Sequence, residues 1–127
     1  MQEGIQGVIS HHSVDDVVSR LQARLLEKNI QIFALINHSG EAQAVGLDMP
    51  PTKLIIFGNP RGGTPLMQAA PSAALDLPLK ILVAQQPNGE TLLSWNNPTW
   101  LQQRHSFPKE LIANIAAVEI LAKQVAE

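Results

Sequence analysis

Hydrophobic and polar positions change their spacing several times along the chain, and each change marks a structural element. Residues 4–12 alternate loosely between apolar and polar sides, which is typical of a first strand. Apolar residues then recur at helical spacing over 14–25, after Ser13, whose hydroxyl can cap a helix. The pattern predicts an amphipathic helix that ends near Asn29, a residue suited to a left-handed C-terminal cap.

The middle of the chain predicts two more strands, each followed by a short helical segment. The strands lie over 30–38 and 52–57. Good helix formers after the first strand predict a short helical turn over 41–46. A short helix over 64–70 places Pro65 in its first turn, where the missing N–H of proline costs nothing.

The last third of the chain predicts a hairpin and two helices. Strand-like runs over 77–84 and 90–95 flank Asn88-Gly89, the strongest short hairpin signal available. Asn97-Pro98 starts a short helix that reaches about residue 105. A final helix opens at Ser106 and Pro108, with an apolar stripe made by Leu111, Ile115, Val118, Leu121 or Ala122, and Val125.

Together these elements predict a single domain over residues 1–127 of fold class α+β. The strands are mostly joined by hairpins, so the five-stranded sheet should be mostly antiparallel. The element order is β-α-β-β-β-β-α with short extra helices, and two longer helices cover the sheet. No internal repeat, low-complexity tract or linker interrupts the pattern.

Composition excludes several classes of function. The 127 residues contain no cysteine, so thiol catalysis, disulfides and zinc–thiolate sites are absent. The net charge of −2 comes from interspersed signs, which leaves no basic stripe for nucleic acid. Neither a secretory signal pattern nor a run of about 20 apolar residues is present. We therefore expect a cytoplasmic protein with no nucleic-acid or membrane partner.

The segment Asn59–Pro65, which follows the third strand, is the first candidate site. Arg61 can place a guanidinium beside the backbone amides of Gly62 and Gly63, with the Thr64 hydroxyl close by, which suits an anion or carboxylate. No Gly-Lys-Ser/Thr follows, so the segment is not a Walker loop. The alternative is a structural turn whose glycines supply positive φ.

Four histidines raise the question of a metal. His11 and His12 are adjacent on a strand end, so at most one of them joins a given site. No histidine pair has helical i,i+4 spacing, so we expect no metal site and no cofactor. His38 and His105 are instead candidates for acid/base chemistry, because histidine titrates near neutral pH. The alternative for His38 is a solvated strand end.

Both tryptophans lie within residues 95–105, where they predict a packed corner, a dimer surface or a pocket wall. Trp100 and Arg104 are four residues apart, so the guanidinium can stack on the indole. Arg104 and His105 can also bond the last carbonyls of their helix. Composition allows a Ser-His-Asp arrangement, but no nucleophile-elbow pattern is present.

Several blocks of the chain, in this order, resemble the signature of the domain of unknown function 302 family (DUF 302). The blocks are Phe33-Ala34-Leu35-Ile36-Asn37-His38, Phe57-Gly58-Asn59-Pro60-Arg61-Gly62-Gly63-Thr64-Pro65-Leu66-Met67, Asp76-Leu77-Pro78-Leu79-Lys80, Asn97-Pro98 and Arg104-His105. The resemblance implies a curved, mostly antiparallel sheet with helices on one face, similar to the TATA-binding-protein-like topology. It also implies a homodimer, and it implies no established activity.

One block departs from the family pattern, because Asn37-His38 stands where the family usually has Asp-His. An amide cannot take up a proton, which weighs against catalysis there, whereas a hydrogen-bonding role suits Asn37 equally. From the family blocks we expect one convergent site for a small polar or anionic ligand, formed by Asn37, His38, Asn59, Arg61, Gly62, Gly63 and Thr64, with Arg104 and His105 as second walls.

Three classes of function remain open on these grounds. A ligand-binding module fits the glycine-rich segment and the lack of a catalytic constellation. An enzyme would use His38 or His105 as acid/base and Arg61 to hold an anionic substrate. A structural or interaction module would use a sheet edge or the tryptophan corner.

Overall fold

The computed structural model describes residues 2–127. Over these residues the chain forms five strands, five α-helices and two 3-10 helices. In chain order they are β1 (Ile5–Ser10), α1 (Val14–Glu27), β2 (Gln31–Asn37), α2 (His38–Ala44), β3 (Thr52–Gly58), α3 (Pro60–Ala69), a 3-10 helix (Pro71–Leu75), β4 (Leu79–Gln85), β5 (Thr91–Asn96), α4 (Pro98–His105), a 3-10 helix (Lys109–Asn114) and α5 (Ala117–Ala126).

The five strands form one open sheet in the order β1-β5-β4-β3-β2, and every neighbouring pair is antiparallel. The predicted α+β class and the predicted element order are therefore confirmed. A register shift lies between Ile32 and Ala34, where Phe33 is the extra residue of a β-bulge.

Helices α1 and α5 pack on one face of the sheet, as predicted. Strand alternation turns every second side chain of β3, β4 and β5 toward these helices. The main core joins the inward side chains of the sheet to the apolar stripes of both helices: Ile55, Phe57, Ile81, Val83, Leu93 and Trp95 meet Val14, Val17, Val18, Leu21, Leu25, Val118, Leu121, Ala122 and Val125. Burial of each Val, Leu, Ile or Phe side chain of this core contributes about 1.5–3 kcal/mol to folding.

Both ends of α1 follow the sequence prediction. The Ser13 hydroxyl accepts a hydrogen bond from the Asp16 backbone N–H at 3.1 Å, which caps the helix. Asn29 has φ of 55° and turns the chain toward β2 in the left-handed conformation.

The predicted final helix is interrupted, which corrects the sequence interpretation. Residues Lys109–Asn114 form a 3-10 helix, and the α-helix begins only at Ala117. Ile115 packs into a second apolar cluster with Leu66, Ala70, Leu101 and Phe107, whereas Val118 and the residues after it enter the main core. The apolar stripe predicted from Leu111 to Val125 is continuous in sequence, but its first part packs in the second cluster and its last part packs in the main core.

The tryptophan corner and the hairpin are also present. Trp95 is buried in the main core, and its indole N–H donates to Gln6 Oε1 at 3.1 Å. Trp100 lies against Gly4, where an added Cβ would come within 2.3 Å of the indole ring. Arg104 lies 5.6 Å from the centre of that ring, so the predicted stacking is confirmed. The β4–β5 hairpin turns at Asn88-Gly89, and Gly89 has φ of 90°.

Candidate functional site

The predicted short helix after β3 is present, but it also includes Pro60–Gly63, so the alternative of a structural turn there is wrong. Helix α3 starts at Pro60, four residues earlier than expected, and Pro65 lies inside it. Asn59 caps the helix, because its side-chain oxygen accepts from the Arg61 N–H at 2.9 Å. Pro60 takes the first helical position, where a proline is well tolerated.

The backbone amides of this segment are already engaged. Arg61 N–H bonds the Asn59 side chain, and the N–H groups of Gly62 and Gly63 both bond the Asn59 carbonyl, at 2.9 and 3.0 Å. Neither glycine has positive φ. The glycines therefore form neither a turn with positive φ nor a group of free backbone amides that could bind an anion.

Gly62 allows α3 to lie close to the 3-10 helix Lys109–Asn114. An added Cβ on Gly62 would lie 3.1 Å from the Asn114 carbonyl oxygen. The Asn114 side-chain amide donates back to the Gly62 carbonyl at 3.1 Å. At Gly63 an added Cβ would meet only the ends of Leu77 and Met67, at 3.7 and 4.0 Å. Gly63 therefore has room for a Cβ at ordinary contact distance, and it borders the space beyond these side chains.

That space is a cleft of about 160 Å³, here called the α3 cleft. It lies between α3, the bulge of β2, the start of β4 and the 3-10 helix Lys109–Asn114. Its wall is mainly apolar and includes three uncharged polar side chains, Asn59, Thr64 and Asn114. The lining residues are Phe33, Gly58, Asn59, Pro60, Gly63, Thr64, Met67, Leu77, Pro78, Leu79, Asn114 and Ile115.

Arg61 is exposed and does not line the α3 cleft. Of the segment expected to bind an anion, Asn59, Gly63 and Thr64 are at the cleft, while the guanidinium points elsewhere on the surface. The cleft thus combines an apolar wall with uncharged hydrogen-bonding side chains.

Arg104 and His105 belong to a different group of side chains, here called the Asp76 cluster (Ser72, Asp76, Arg104 and His105). Arg104 Nη1 donates to both Asp76 oxygens, at 3.1 and 2.9 Å. His105 Nε2 lies 2.5 Å from Asp76 Oδ2, and His105 Nδ1 lies 2.7 Å from Ser72 Oγ. Helix α4 is thereby joined to the 3-10 helix Pro71–Leu75 by charge-assisted hydrogen bonds.

Lys80 extends this polar region along the backbone. Its ammonium donates to the carbonyls of Asp76 and Pro78, at 2.7 and 2.8 Å. Burial lowers the pKa of Lys80 below its ordinary value, and the negative charge of Asp76 opposes part of that shift. The Asp76–Lys80 stretch is held at both ends by these contacts.

The α3 cleft and the Asp76 cluster are neighbours that do not open into each other. A narrow gap between them touches Asp76 and His105 on one side and is too small to hold a water molecule. Leu77 and Ile115 line both this gap and the cleft. Arg104 and His105, which we expected to form the other side of the same site, are therefore separated from the cleft by apolar side chains.

Asn37 and His38 lie at the opposite end of the sheet. Asn37 pairs with Lys53, whereas Gly58 leads into the α3 cleft. Five residues of strand separate these positions, about 17 Å at the usual rise. The convergence of Asn37 and His38 with the Asn59 segment is therefore not found within one chain, because the hairpin places them at opposite ends of β3.

Asn37 caps helix α2 at that end of the sheet. Its side-chain oxygen accepts from the Gly40 N–H at 2.9 Å and from the Ser39 hydroxyl at 3.1 Å, which caps α2. Helix α2 begins at His38, not at residue 41 as predicted. An aspartate or an asparagine can cap in this way, so the departure from the family pattern leaves the cap intact. His38 is exposed and does not line the depression beside Asn37.

The histidines at the end of β1 have separate partners. His11 Nδ1 lies 3.5 Å from Glu90, and His12 Nδ1 lies 3.0 Å from Asp16. Among residues 2–127 no three His, Asp or Glu side chains come together as metal ligands. In that same part of the chain, no helix is both long enough and apolar enough to cross a membrane.

The family model for the domain of unknown function DUF302 matches residues 6–125. The chain belongs to the DUF302 family. A crystal structure of an uncharacterized conserved DUF302 protein from Bacillus stearothermophilus superposes with a TM-score of 0.79 and 20% identity, covering 98% of this chain and 97% of that one. The likeness shows that the two DUF302 chains share one fold.

Three curated relatives of this DUF302 chain are fluoride-specific ion channels. FluC 1 of Brucella suis biovar 1 (strain 1330) is 41% identical over 107 residues, which are 84% of this chain and 42% of the channel. FluC 2 of Brucella melitensis biotype 1 is also 41% identical over 107 residues, 40% of its length. This chain therefore spans about two fifths of the curated relatives that it matches.

Sequence reasoning missed the apolar wall of the α3 cleft and the serine of the Asp76 cluster. Phe33, Met67 and Leu77 were noted within family blocks but not as neighbours, because their meeting depends on the bulge and on the early start of α3. The Asp76 and Arg104-His105 blocks were both noted from the family resemblance, which was a usable signal. Ser72 had no signal in the sequence, because the 3-10 helix Pro71–Leu75 in which it lies contains no recognisable motif.

Proposed function

We propose that this DUF302 domain binds a small ligand in the α3 cleft, beside the Asn59–Thr64 segment. The observation that supports this is the cleft itself: an open space of about 160 Å³ with a mainly apolar wall and three neutral polar side chains. Sites for small molecules combine an apolar wall with a few placed polar groups in this way.

The size and lining of the cleft define the ligand chemistry. A cavity of roughly 150 Å³ lined by apolar side chains accepts a benzene-sized group. The apolar body would lie against Phe33, Met67 and Leu77. A polar or anionic end would then reach Thr64 and Asn114, which are exposed at the rim. Arg61 is outside the lining, so an anionic end would gain little from it.

Titration with benzyl alcohol and benzoate, a matched neutral and anionic pair, tests the proposal. Amide NMR shifts should move at Gly63 and Thr64 and saturate with either probe. Gly63→Leu, which fills the cleft, should abolish the change, whereas Arg61→Ala should leave both affinities within about threefold. Shifts spread over the whole surface, or unchanged by Gly63→Leu, would refute binding in the cleft.

We also propose that the chain forms a homodimer through the uncovered face of the sheet. The face away from α1 and α5 presents partly exposed apolar side chains in register, among them Ile36, Leu54 and Leu82, and exposed Ile9 of β1. Contiguous apolar surface of this kind is typical of interfaces. A cytoplasmic location is part of the same proposal, supported by the absence of cysteine.

Native mass spectrometry tests the dimer directly. The wild-type chain should give the mass of two 13.8 kDa chains. Leu82→Asp should give a folded monomer, while Ile120→Asp, which changes an exposed apolar residue on α5, should remain dimeric. A wild-type monomer at micromolar concentration would rule out the interface.

A second function is suggested by the channel relatives. We propose that the domain acts as an accessory in fluoride handling, because 84% of this chain is 41% identical to part of a fluoride-specific channel. The matching part is less than half of that channel, so the proposal concerns an auxiliary role and not the conduction of fluoride.

Growth of a strain lacking the gene tests this second function. Its tolerance to sodium fluoride should fall while its tolerance to sodium chloride is unchanged, and the gene in trans should restore growth. Equal fluoride tolerance in the two strains would contradict the accessory role and would leave the α3 cleft proposal unaffected.

A further inference from the structure

The Asp76 cluster places a serine, a histidine and an aspartate in one hydrogen-bonded line. Ser72 Oγ lies 2.7 Å from His105 Nδ1, and His105 Nε2 lies 2.5 Å from Asp76 Oδ2. The Asp76 carboxylate can only accept, so the proton of neutral His105 is on Nε2. His105 Nδ1 is then an acceptor, and the Ser72 hydroxyl donates to it.

The three side chains differ in exposure in the way that a reactive serine requires. The His105 side chain is 4% exposed and the Asp76 side chain 15%, so solvent has little access to the base or to the carboxylate. Ser72 is on the exposed 3-10 helix Pro71–Leu75. The hydroxyl is therefore presented to solvent while the base behind it is shielded.

We propose that Ser72 is a base-activated nucleophile that accepts an acyl group from an activated ester, with His105 as its general base. In acyl transfer, a serine is activated by a histidine that accepts from the serine hydroxyl on one ring nitrogen and donates to a carboxylate from the other. This arrangement recurs on unrelated folds. This function lies outside the α3 cleft and does not depend on ligand binding there.

The reaction needs only the ester and water. Ser72 Oγ attacks the ester carbonyl carbon as its proton moves to His105 Nδ1, and the bond to the leaving alkoxide breaks as the alkoxide takes that proton. A water molecule then attacks the acyl-serine and gives its proton to His105, which returns it to Ser72 Oγ as the carboxylic acid leaves. The net change is hydrolysis of an ester to an acid and an alcohol.

Two features of the cluster bear on how strongly His105 activates Ser72. The histidine uses Nδ1 toward the serine and Nε2 toward the carboxylate, the reverse of the well-known serine hydrolases, yet each nitrogen has the same role in proton transfer. Arg104 also donates to both Asp76 oxygens and so withdraws part of the charge that would stabilise a protonated His105. We expect activation near the low end of the general-base range, about 100-fold.

A fluorophosphonate probe tests the proposal on the intact protein. The Ser72 oxygen would bond to phosphorus, fluoride would leave, and the serine proton would pass to His105. Peptide mapping should find the adduct on Ser72 at about 100 times the rate at Ser39, an internal control whose hydroxyl bonds Asn37 and no histidine. Ser72→Ala should lose the fast adduct while the protein remains folded by circular dichroism.

Variants of the other two residues separate chemistry from structure. His105→Gln should slow labelling of Ser72 to the rate of Ser39. Asp76 acts through His105 and is a positioning residue, so Asp76→Asn should slow labelling and Asp76→Glu should restore part of the rate. Labelling of Ser72 at the rate of Ser39, or a fast Ser72 adduct in a folded His105→Gln protein, would overturn the proposal.

Discussion

The α3 cleft and the Asp76 cluster lie side by side and differ in nearly every physical property. The cleft has an apolar wall, about 160 Å³ of open space and no charged side chain in its lining. The cluster contains a carboxylate, a guanidinium and an imidazole joined by short hydrogen bonds, and the gap beside it cannot hold a water molecule. Leu77 and Ile115 are the partition between them.

The difference shows that open volume and paired charges lie in separate places in this molecule. Of the charged side chains expected to hold a ligand, Arg104 is engaged with Asp76, and Arg61 is exposed outside the cleft. The open space is lined by apolar and uncharged polar side chains. Each region can therefore be changed separately, and the following predictions use that separation.

Removing the carboxylate of the cluster should have the largest effect. Asp76→Ala leaves the shielded His105 and the partly exposed Arg104 without their acceptor, and we expect a loss of about 2 kcal/mol in the free energy of unfolding. Asp48→Ala, which changes an exposed carboxylate, should stay within about 0.5 kcal/mol of wild type. Urea denaturation measures both, and equal losses would mean that the cluster does not stabilise the fold.

Filling the cleft should affect binding and spare the cluster. Met67→Trp places a larger side chain in the cleft, and we expect the affinity for benzyl alcohol to fall at least about tenfold, or about 1.4 kcal/mol. Ser72→Ala should leave that affinity unchanged. Probe titration by NMR measures both variants. Loss of binding in Ser72→Ala would show that the two regions are coupled across Leu77.

The two glycines of α3 should respond in opposite ways to the same change. Gly63→Ala should stabilise the protein by about 0.5–1 kcal/mol, because alanine loses less backbone freedom in a helix and the added Cβ finds only ordinary contacts. At Gly62 the added Cβ meets the Asn114 carbonyl at 3.1 Å, which should cancel the gain or reverse it. Thermal unfolding of both variants gives the difference, and equal stabilities would contradict the close approach.

The smallest effect concerns the pH dependence contributed by Lys80. Its pKa is lowered in the folded state from 10.5, so the unfolded chain binds more protons between the folded pKa and 10.5. The stability of wild type relative to Lys80→Met should therefore rise with pH through that window. Urea unfolding between pH 7 and 10.5 measures this rise.

Lys123→Met is the matched control for Lys80, because the Lys123 side chain is 59% exposed and pairs with Glu119 at the surface. Urea unfolding of Lys123→Met under the same conditions gives the effect of replacing an exposed lysine. A fall in the relative stability of wild type against Lys80→Met would mean that attraction by Asp76 outweighs burial.

Much of the fold was predictable because local patterns agreed with the tertiary structure. The stripe of α1 and the cap at Ser13 were read correctly, since capping and periodicity act within a few residues. The antiparallel sheet followed from its hairpins. The start of the last helix was predicted wrongly, because Ile115 packs in the second apolar cluster. Periodicity alone cannot show which of two clusters an apolar residue joins.

The candidate site was predicted only in part. Asn59 and Thr64 do line a cleft, and Arg104 and His105 do lie near it, but behind Leu77 and Ile115. The helical state of the glycine-rich segment was missed, because Asn59 and Pro60 start a helix that glycine alone disfavours. The separation of Asn37 from Asn59 depended on strand register, which chain order does not reveal.

The sequence by itself determined the class, the order of the elements, the absence of cysteine chemistry and the resemblance to the DUF302 family, because each of these depends on composition or on neighbours in the chain. Tertiary structure alone decided that Asp76 would meet His105 across 29 residues, that Ser72 would meet the same ring, and that Gly63 would line the α3 cleft. Contacts between distant segments depend on how the two apolar clusters pack, and packing is a property of the whole chain.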